Sequence, residues 1–234
     1  TCVLYYVVPK KWQWMLLLLA SYVFYFLAGA SYLPYIFVTT VSTYLIARKI
    51  TSLQAVVETY IKEHKKELSR EERKEYKAKE KKKQWRLLLL CLFINIGILA
   101  VLKYTNFAIS NVNSVLTTFG SGTQLKFVDF VLPMGISFYT FQSMGYLIDV
   151  YRGKYEAEKN FFRFALFVSF FPQLVQGPIS RFDHLAQSLY EEHKYNATTV
   201  ASGLQRILWG YFKKMVIADR MLVAVNTLIQ SPEE

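Results

Sequence analysis

The chain has 234 residues, 53% of them hydrophobic and 17% aromatic, yet 19% are charged and the net charge is +11. That length suits one domain or two, and the mixture is that of a membrane protein carrying a soluble insert. Fourteen basic against seven acidic residues lie between Arg48 and Arg86, so +7 of the net charge sits in one segment between apolar runs. Such clustering marks a cytoplasmic loop more readily than a nucleic-acid surface.

Thr1 to Val8, TCVLYYVV, is too short to span a bilayer and reads as the tail of a truncated helix. Trp12 to Ala28 is nearly unbroken apolar sequence behind Lys10-Lys11, with Trp12, Trp14, Tyr22 and Tyr25 suited to interfacial belts. Tyr32 to Ala47 follows a short turn and ends at Arg48-Lys49. Residues 1–47 are therefore expected to form a helical hairpin with both basic ends on the cytoplasmic side.

Residues 48–86 form the charged segment. Gln54 to Gln84 contains neither Gly nor Pro and places Glu58 before Lys62, Glu75 before Lys79, Glu63 before Lys66 and Glu80 before Lys83 at helical spacing. It reads as a solvated, largely helical cytosolic arm. Residues 87–153 then supply two spans joined outside. Trp85 to Tyr104 leads outward with Asn95 as an interhelical hydrogen-bonding residue. Thr105 to Lys126 is a polar external loop in which Asn111 to Thr118 forms a short surface helix. Phe127 to Val150 returns inward, with Pro133 in its first turn and Gly135, Ser137, Ser143 and Gly145 available for close packing.

Residues 154–182 hold the most informative stretch, Phe161 to Arg181, FFRFALFVSFFPQLVQGPISR. It begins like a membrane helix and is interrupted by Pro172 and by Gly177-Pro178. The uninterrupted apolar run covers about half of the roughly 20 residues a crossing requires. Gln173, Gln176 and Ser180 sit inside or just after the break. Opened backbone and amides at membrane depth are tolerated only where protein buries them or a cavity wets them. The stretch is expected to be a re-entrant wall of an internal passage. Residues 183–234 make an interfacial amphipathic segment, capped at Thr198 or Thr199. Val200, Leu204, Ile207, Leu208, Tyr211, Phe212 and Met215 form its apolar stripe, and Arg206, Lys213 and Arg220 lie on another face.

No phosphate-binding loop, dinucleotide fingerprint or Ser-His-Asp arrangement is present. The two cysteines carry neither metal spacing nor a disulfide framework. His64, His184 and His193 all read as solvated surface residues.

Two runs, LPMGISFYTFQSMGYLIDVYRG (Leu132 to Gly153) and SFFPQLVQGPISRF (Ser169 to Phe182), resemble the membrane-bound O-acyltransferase (MBOAT) family, nearest its alginate O-acetyltransferase branch. The likeness extends through the hairpin, the charged loop and GLQRILWGYFKKMVIADR (Gly203 to Arg220), and so covers essentially the whole chain. It implies an all-α polytopic bundle with broken, re-entrant helices around a central funnel in the cell membrane, the inner or plasma membrane. It also implies an O-acyltransferase, most simply an O-acetyltransferase, that moves an acyl group from a cytosolic thioester toward an extracellular polysaccharide. The donor would be acetyl-CoA or an acyl carrier protein, with no bound metal or other cofactor and no nucleic-acid partner. Membrane lipids, polysaccharide-modifying proteins outside the cell and a C-terminal half of the same protein are the implied partners. Family members use a histidine within a run like Trp-His-Gly, which this sequence lacks, since Trp209 precedes Gly210. The chain is thus expected to be an N-terminal half without a catalytic residue of its own. Gln142, Gln173, Gln176, Ser180 and Arg181 are the candidate polar lining of the funnel, Arg181 serving either a donor phosphate or the lipid headgroups. A channel or transporter, where broken helices also mark binding sites, and a non-catalytic scaffold of a polysaccharide-export complex remain the alternative readings.

Overall fold

The computed structural model describes residues 1–65, 69–119, 124–130 and 132–230, apart from the side chains at 176, 228 and 230. Among the described residues there is helix but no strand. The order is α1 (Cys2–Val7), α2 (Gln13–Ala28), α3 (Leu33–Glu63), α4 (Arg70–Thr118), α5 (Ile136–Tyr151), α6 (Phe161–Ser169), α7 (Phe171–Gln176), α8 (Phe182–Tyr190), α9 (Ala197–Phe212) and α10 (Asp219–Gln230). Two compact units result, residues 1–191 and 192–234.

Among the described residues three helical stretches are long and apolar enough to cross a membrane: Lys10–Ala28, Ala30–Glu63 and Arg70–Thr118. Two of them far exceed a bilayer. At 1.5 Å per residue α3 is about 46 Å long and α4 about 74 Å, against a hydrocarbon core of about 30 Å. Nothing in Leu33–Glu63 breaks the helix after its second position, where Pro34 is harmless because the first turn's N–H groups have no intrahelical partner. The membrane span and the first half of the charged arm are one helix. The second half of the arm is likewise continuous with the next span. It starts at Ser69, whose hydroxyl accepts from Glu72 N at 3.1 Å while the Glu72 carboxylate accepts from Ser69 N at 2.7 Å. This reciprocal cap satisfies two otherwise orphaned donors, and the backbone bond holds the Glu72 carboxyl below its ordinary value.

The expected helical arm is thus made of the ends of two helices. Its two halves pack antiparallel, with Tyr60 and Tyr76 rings 4.6 Å apart and Val57, Glu80 and Gln84 buried. Of the expected charge pairs, Glu80–Lys83 forms at 2.6 Å, and among the described residues neither Glu58–Lys62 nor Glu75–Lys79 does; Glu63–Lys66 lies outside them. The same α3–α4 seam continues through the apolar part. There Asn95 Nδ2 donates to Ser42 Oγ at 3.1 Å and to Cys91 O at 2.9 Å, the interhelical role expected of it.

The surface helix expected over Asn111 to Thr118 is the last part of α4, not a separate element. The returning segment lies along it. Asn106 donates to Val128 O at 2.8 Å and accepts from Val128 N at 3.0 Å. Asn113 does the same with Leu125, at 2.9 and 2.8 Å. Seven helical residues advance about 10.5 Å and three extended ones about 10 Å, so two amides on one face of α4 match peptide groups three residues apart on an antiparallel extended chain.

The return span is correspondingly shorter than Phe127 to Val150. Residues 124–130 are not helical, and α5 begins only at Ile136. Pro133 precedes the helix instead of opening it. Short as it is, α5 is the centre of the first unit, burying Ile136, Tyr139, Met144, Tyr146, Leu147 and Val150. It packs on α3, α4, α6 and α7. Helix α6 sits between α2 and α3, so the two arms of the expected N-terminal hairpin are separated along much of their length by a third helix.

The second unit is a helix interrupted once. Asn196, two or three residues before the expected caps, accepts from Thr198 N at 2.9 Å and Thr199 N at 3.3 Å. Between α9 and α10 the residues Lys213–Ala218 form a π-helical turn. A π turn holds more residues than an α turn, so Arg220 is rotated off the line through Arg206 and Lys213, and the seven-residue basic face does not run the whole length.

Candidate functional site

The break in the Phe161–Arg181 stretch is built by three neighbouring helices. Asn160 starts α6 by accepting from Phe162 N at 2.9 Å and Arg163 N at 3.3 Å. The run Phe164–Ser169 is buried on every side. The chain then turns at Phe170 (φ −56°, ψ 104°), two residues before Pro172. The proline does not cause the break. It lies in the first turn of α7, where a missing N–H costs little.

Side chains from outside satisfy the backbone that the turn exposes. Phe171 N donates to Ser21 Oγ of α2 at 3.3 Å. Gln142 Nε2 of α5 donates to Phe167 O, in the last turn of α6, at 2.9 Å. Such repair is what non-helical backbone at membrane depth requires. The start of α5 is pressed against the second half of the break. Gly135 has φ +70°, and a Cβ there would stand 2.6 Å from Leu174 O of α7. Beside it Met134 O accepts from the buried Tyr25 hydroxyl at 2.5 Å, and the Tyr25 ring meets Tyr139 edge to face, 6.4 Å between centroids.

Polar capacity is left over at this junction. Tyr139 Oη, Ser143 Oγ, Ser169 Oγ and Gln173 Oε1 are buried without a partner of hydrogen-bond geometry among the described residues. They come from α5, the end of α6 and the start of α7, the three elements that meet at the break. Buried polar atoms are overwhelmingly hydrogen-bonded in folded proteins, so these four make the junction the candidate polar site of the unit.

Of the five residues expected to line a passage, Gln142 and Gln173 belong to the junction. Gln142 is spent on Phe167 O. Gln173 Nε2 donates to Ser180 Oγ at 2.6 Å, tying the extended exit 177–181 to α7 and leaving the Gln173 oxygen unused. Arg181 is exposed just before α8. The side chain of Gln176 lies outside the described residues. Sequence reasoning did not single out Ser21 or assign Tyr25, Tyr139, Ser143 and Ser169 to the site. Tyr25 reads as a belt residue and Ser143 as a packing residue. The available signal was only that Tyr139 and Ser143 are one helical turn apart and that Gln142 stands between them.

A second polar constellation closes the basic end of this unit. Gln54 Nε2 donates to Val150 O and Tyr151 O at 3.1 and 3.2 Å, satisfying the last carbonyls of α5. Lys154 Nζ lies 2.5 Å from Asp183 and 3.8 Å from Asp149. This pairing holds the Asp183 carboxyl below its ordinary value. Burial, with Asp149 and Asp183 nearby, holds the Tyr155 phenol well above its own. Phe182 inserts among Tyr146, Tyr155 and Phe167 at 4.7–5.4 Å between centroids. Among the described residues no three His, Cys, Asp or Glu side chains are grouped to hold a metal ion. His64 stacks on Tyr60 at 4.4 Å, and His184 is exposed on α8.

Helices long and apolar enough to span, joined by a broken helix at whose junction buried polar atoms collect, define a multi-pass membrane protein of the all-α class. Comparison with known proteins narrows the class. A probable alginate O-acetylase of Pseudomonas syringae pv. tomato is 33% identical over 95% of the chain and 38% of its own length. That of Azotobacter vinelandii is 34% identical over 93% of the chain and 38% of its own length. A peptidoglycan O-acetyltransferase of Helicobacter pylori is 29% identical over 90% of the chain and, again, 38% of its own length. The chain is thus related by sequence to the membrane-bound O-acyltransferases of the alginate O-acetylase branch, and it spans less than two fifths of the length of these relatives. No family model matches it, and neither does any solved structure.

Proposed function

We propose that the chain forms the donor-side wall of a membrane O-acyltransferase of the O-acetyl type. The complete protein would accept an acyl group from a cytosolic thioester, acetyl-CoA or an acyl carrier protein, and pass it to hydroxyl groups of an extracellular polysaccharide. One observation carries the reading: relatives over more than nine tenths of the chain are named for O-acetylation of alginate. The buried polar atoms at the Phe170 junction support it.

A thioester is already activated, so the protein's task is to align it with the acceptor and keep bulk water away. The aromatic packing around α6 excludes water. The unused donors and acceptors of Tyr139, Ser143, Ser169 and Gln173 hold the polar part of the substrate, and Gln176, Ser180 and Arg181 continue the lining toward the donor entrance. No residue of this chain is assigned as catalytic. The charged arm faces the cytosol under the positive-inside rule, α9 and α10 lie along the cytoplasmic leaflet, and polysaccharide-modifying proteins act on the other side of the cell membrane.

In vesicles containing the complete protein, Gln173→Leu and Gln176→Leu are each expected to lower transfer from labelled acetyl-CoA at least about tenfold, the equivalent of one lost hydrogen bond of roughly 1.4 kcal/mol, with membrane insertion unchanged. Wild-type transfer by both variants would overturn the assignment of the break as the passage wall.

A further inference from the structure

The nine-residue α6 does not fill the space between α2 and α3. It leaves an apolar groove of about 650 Å³, walled by Trp12, Met15, Leu19 and Tyr22 of α2 and its approach and by Phe37 of α3, with Phe161, Phe162 and Ala165 as floor. At Phe161 and Phe162 the groove adjoins an open recess of about 870 Å³ that contains Lys159, Asn160 and Arg163. Its lining is thus apolar along its length and charged at one end.

The charged end is built. The Arg163 guanidinium lies 5.6 Å from the Trp14 ring centroid and 5.3 Å from that of Tyr190, so aromatic faces from two other helices hold it. Its Nε is buried without a partner, and no ion pair engages it among the described residues. Tyr190 is fixed in turn, its hydroxyl donating to Arg163 O at 2.6 Å. Lys10 and Lys11 stand one turn before Trp14, at the same end of α2. Two acids, Glu156 and Glu158, also line the recess and offset Lys159 and Arg163; Glu158 is turned to Asn160 N, from which it accepts at 2.9 Å, and the basic excess at this end comes from Lys10 and Lys11.

From this arrangement we infer that the α2–α6 groove is a binding site for one anionic membrane phospholipid, its acyl chain on Phe162 and Ala165 and its phosphate at Arg163, with Lys159, Lys10 and Lys11 around it. A guanidinium held between aromatic faces suits a phosphate, and a headgroup without an ammonium of its own adds no like charge beside Arg163, Lys10 and Lys11. The inference does not depend on the acyl-transfer reading.

Its test is lipid retention by the complete protein, purified in detergent and exposed to equal amounts of phosphatidylglycerol and phosphatidylcholine with identical chains. Bound lipid is read by native mass spectrometry. The wild type is expected to keep phosphatidylglycerol preferentially. Arg163→Gln should lower that preference about fivefold, as removal of one basic residue near a phosphate does, and Arg206→Gln should leave it unchanged. Leu19→Trp, which fills the groove without touching a charge, should lower retention of both lipids. If Arg163→Gln does not fold, the Lys10→Gln/Lys11→Gln pair reports on the charged end instead. Equal retention of the two lipids by the wild type, no retained lipid at all, or unaltered retention by Leu19→Trp would each overturn the proposal.

Discussion

Gly135 is where the least side chain does the most. Its φ of +70° is available to glycine at little cost, and the carbonyl of Leu174 occupies the place a Cβ would take. Gly135→Ala is therefore expected to destabilise the protein by about 1–3 kcal/mol from backbone strain, with the clash adding to it. Gly145, ten residues on in the same α5, meets nothing within 4 Å of a built Cβ. Gly145→Ala should instead stabilise by about 0.4–1 kcal/mol through the unfolded chain. Thermal melting in detergent separates the two, and equal shifts of one sign would show that close approach to Leu174 does not matter. The sequence offers both glycines as small residues for helix packing. It cannot distinguish them, because the difference depends on α7, forty residues away. The same blindness applies to Gln142, whose role is fixed by a carbonyl on another helix, and to Ser21, whose partner is a peptide N–H that exists only because the chain turns at Phe170.

Elements were legible where they are determined locally and misjudged where they are not. Apolar length announces α2 and the membrane parts of α3 and α4, and the absence of Gly and Pro announces a helical arm. What composition conceals is continuity. A shift from apolar to charged residues marks a change of solvent and does not interrupt hydrogen bonding, so α3 and α4 run through it. The polar run after Tyr104 looks like a loop because Asn106 and Asn113 are poor helix formers; their amides are needed to hold residues 125 and 128. The Lys154–Asp183 pair at the start of α8 permits a test at this scale. Asp183 titrates below its ordinary value when folded. Its stabilising contribution is therefore complete above the unfolded-state value and is lost as pH falls through the depressed folded one. The protection of α8 amides, taken relative to the intrinsic exchange rate at each pH, should fall on acidification below about pH 4, and Asp183→Asn should be less protected at neutral pH with a flatter acid limb. Identical profiles would mean that α8 is held by Phe182 and its aromatic neighbours alone.

At the scale of the whole molecule, charge decides orientation and packing decides where substrate goes. The basic residues at Lys10-Lys11, through the arm from Arg48 to Arg86, and at Arg152 and Lys154 flank the apolar lengths of α2 to α5, and the positive-inside rule places such flanks in the cytoplasm. The arm consists of extensions of α3 and α4, so its position follows from those helices' orientation and cannot vary independently of them. Two cysteines, one at Lys79 in the arm and one at Ser110 near the far end of α4, report opposite sides in a background with Cys2 and Cys91 replaced by serine. With a membrane-impermeant maleimide outside intact cells, Ser110→Cys is expected to label and Lys79→Cys to label only after the membrane is permeabilised. The thirty-one residues between them span about 46 Å of one helix, more than the bilayer's hydrocarbon thickness, so both sites cannot be exposed on one side without breaking α4. Labelling of Lys79→Cys from outside would reverse the topology, and with it the assignment of the Phe170 break to the acyl-donor side.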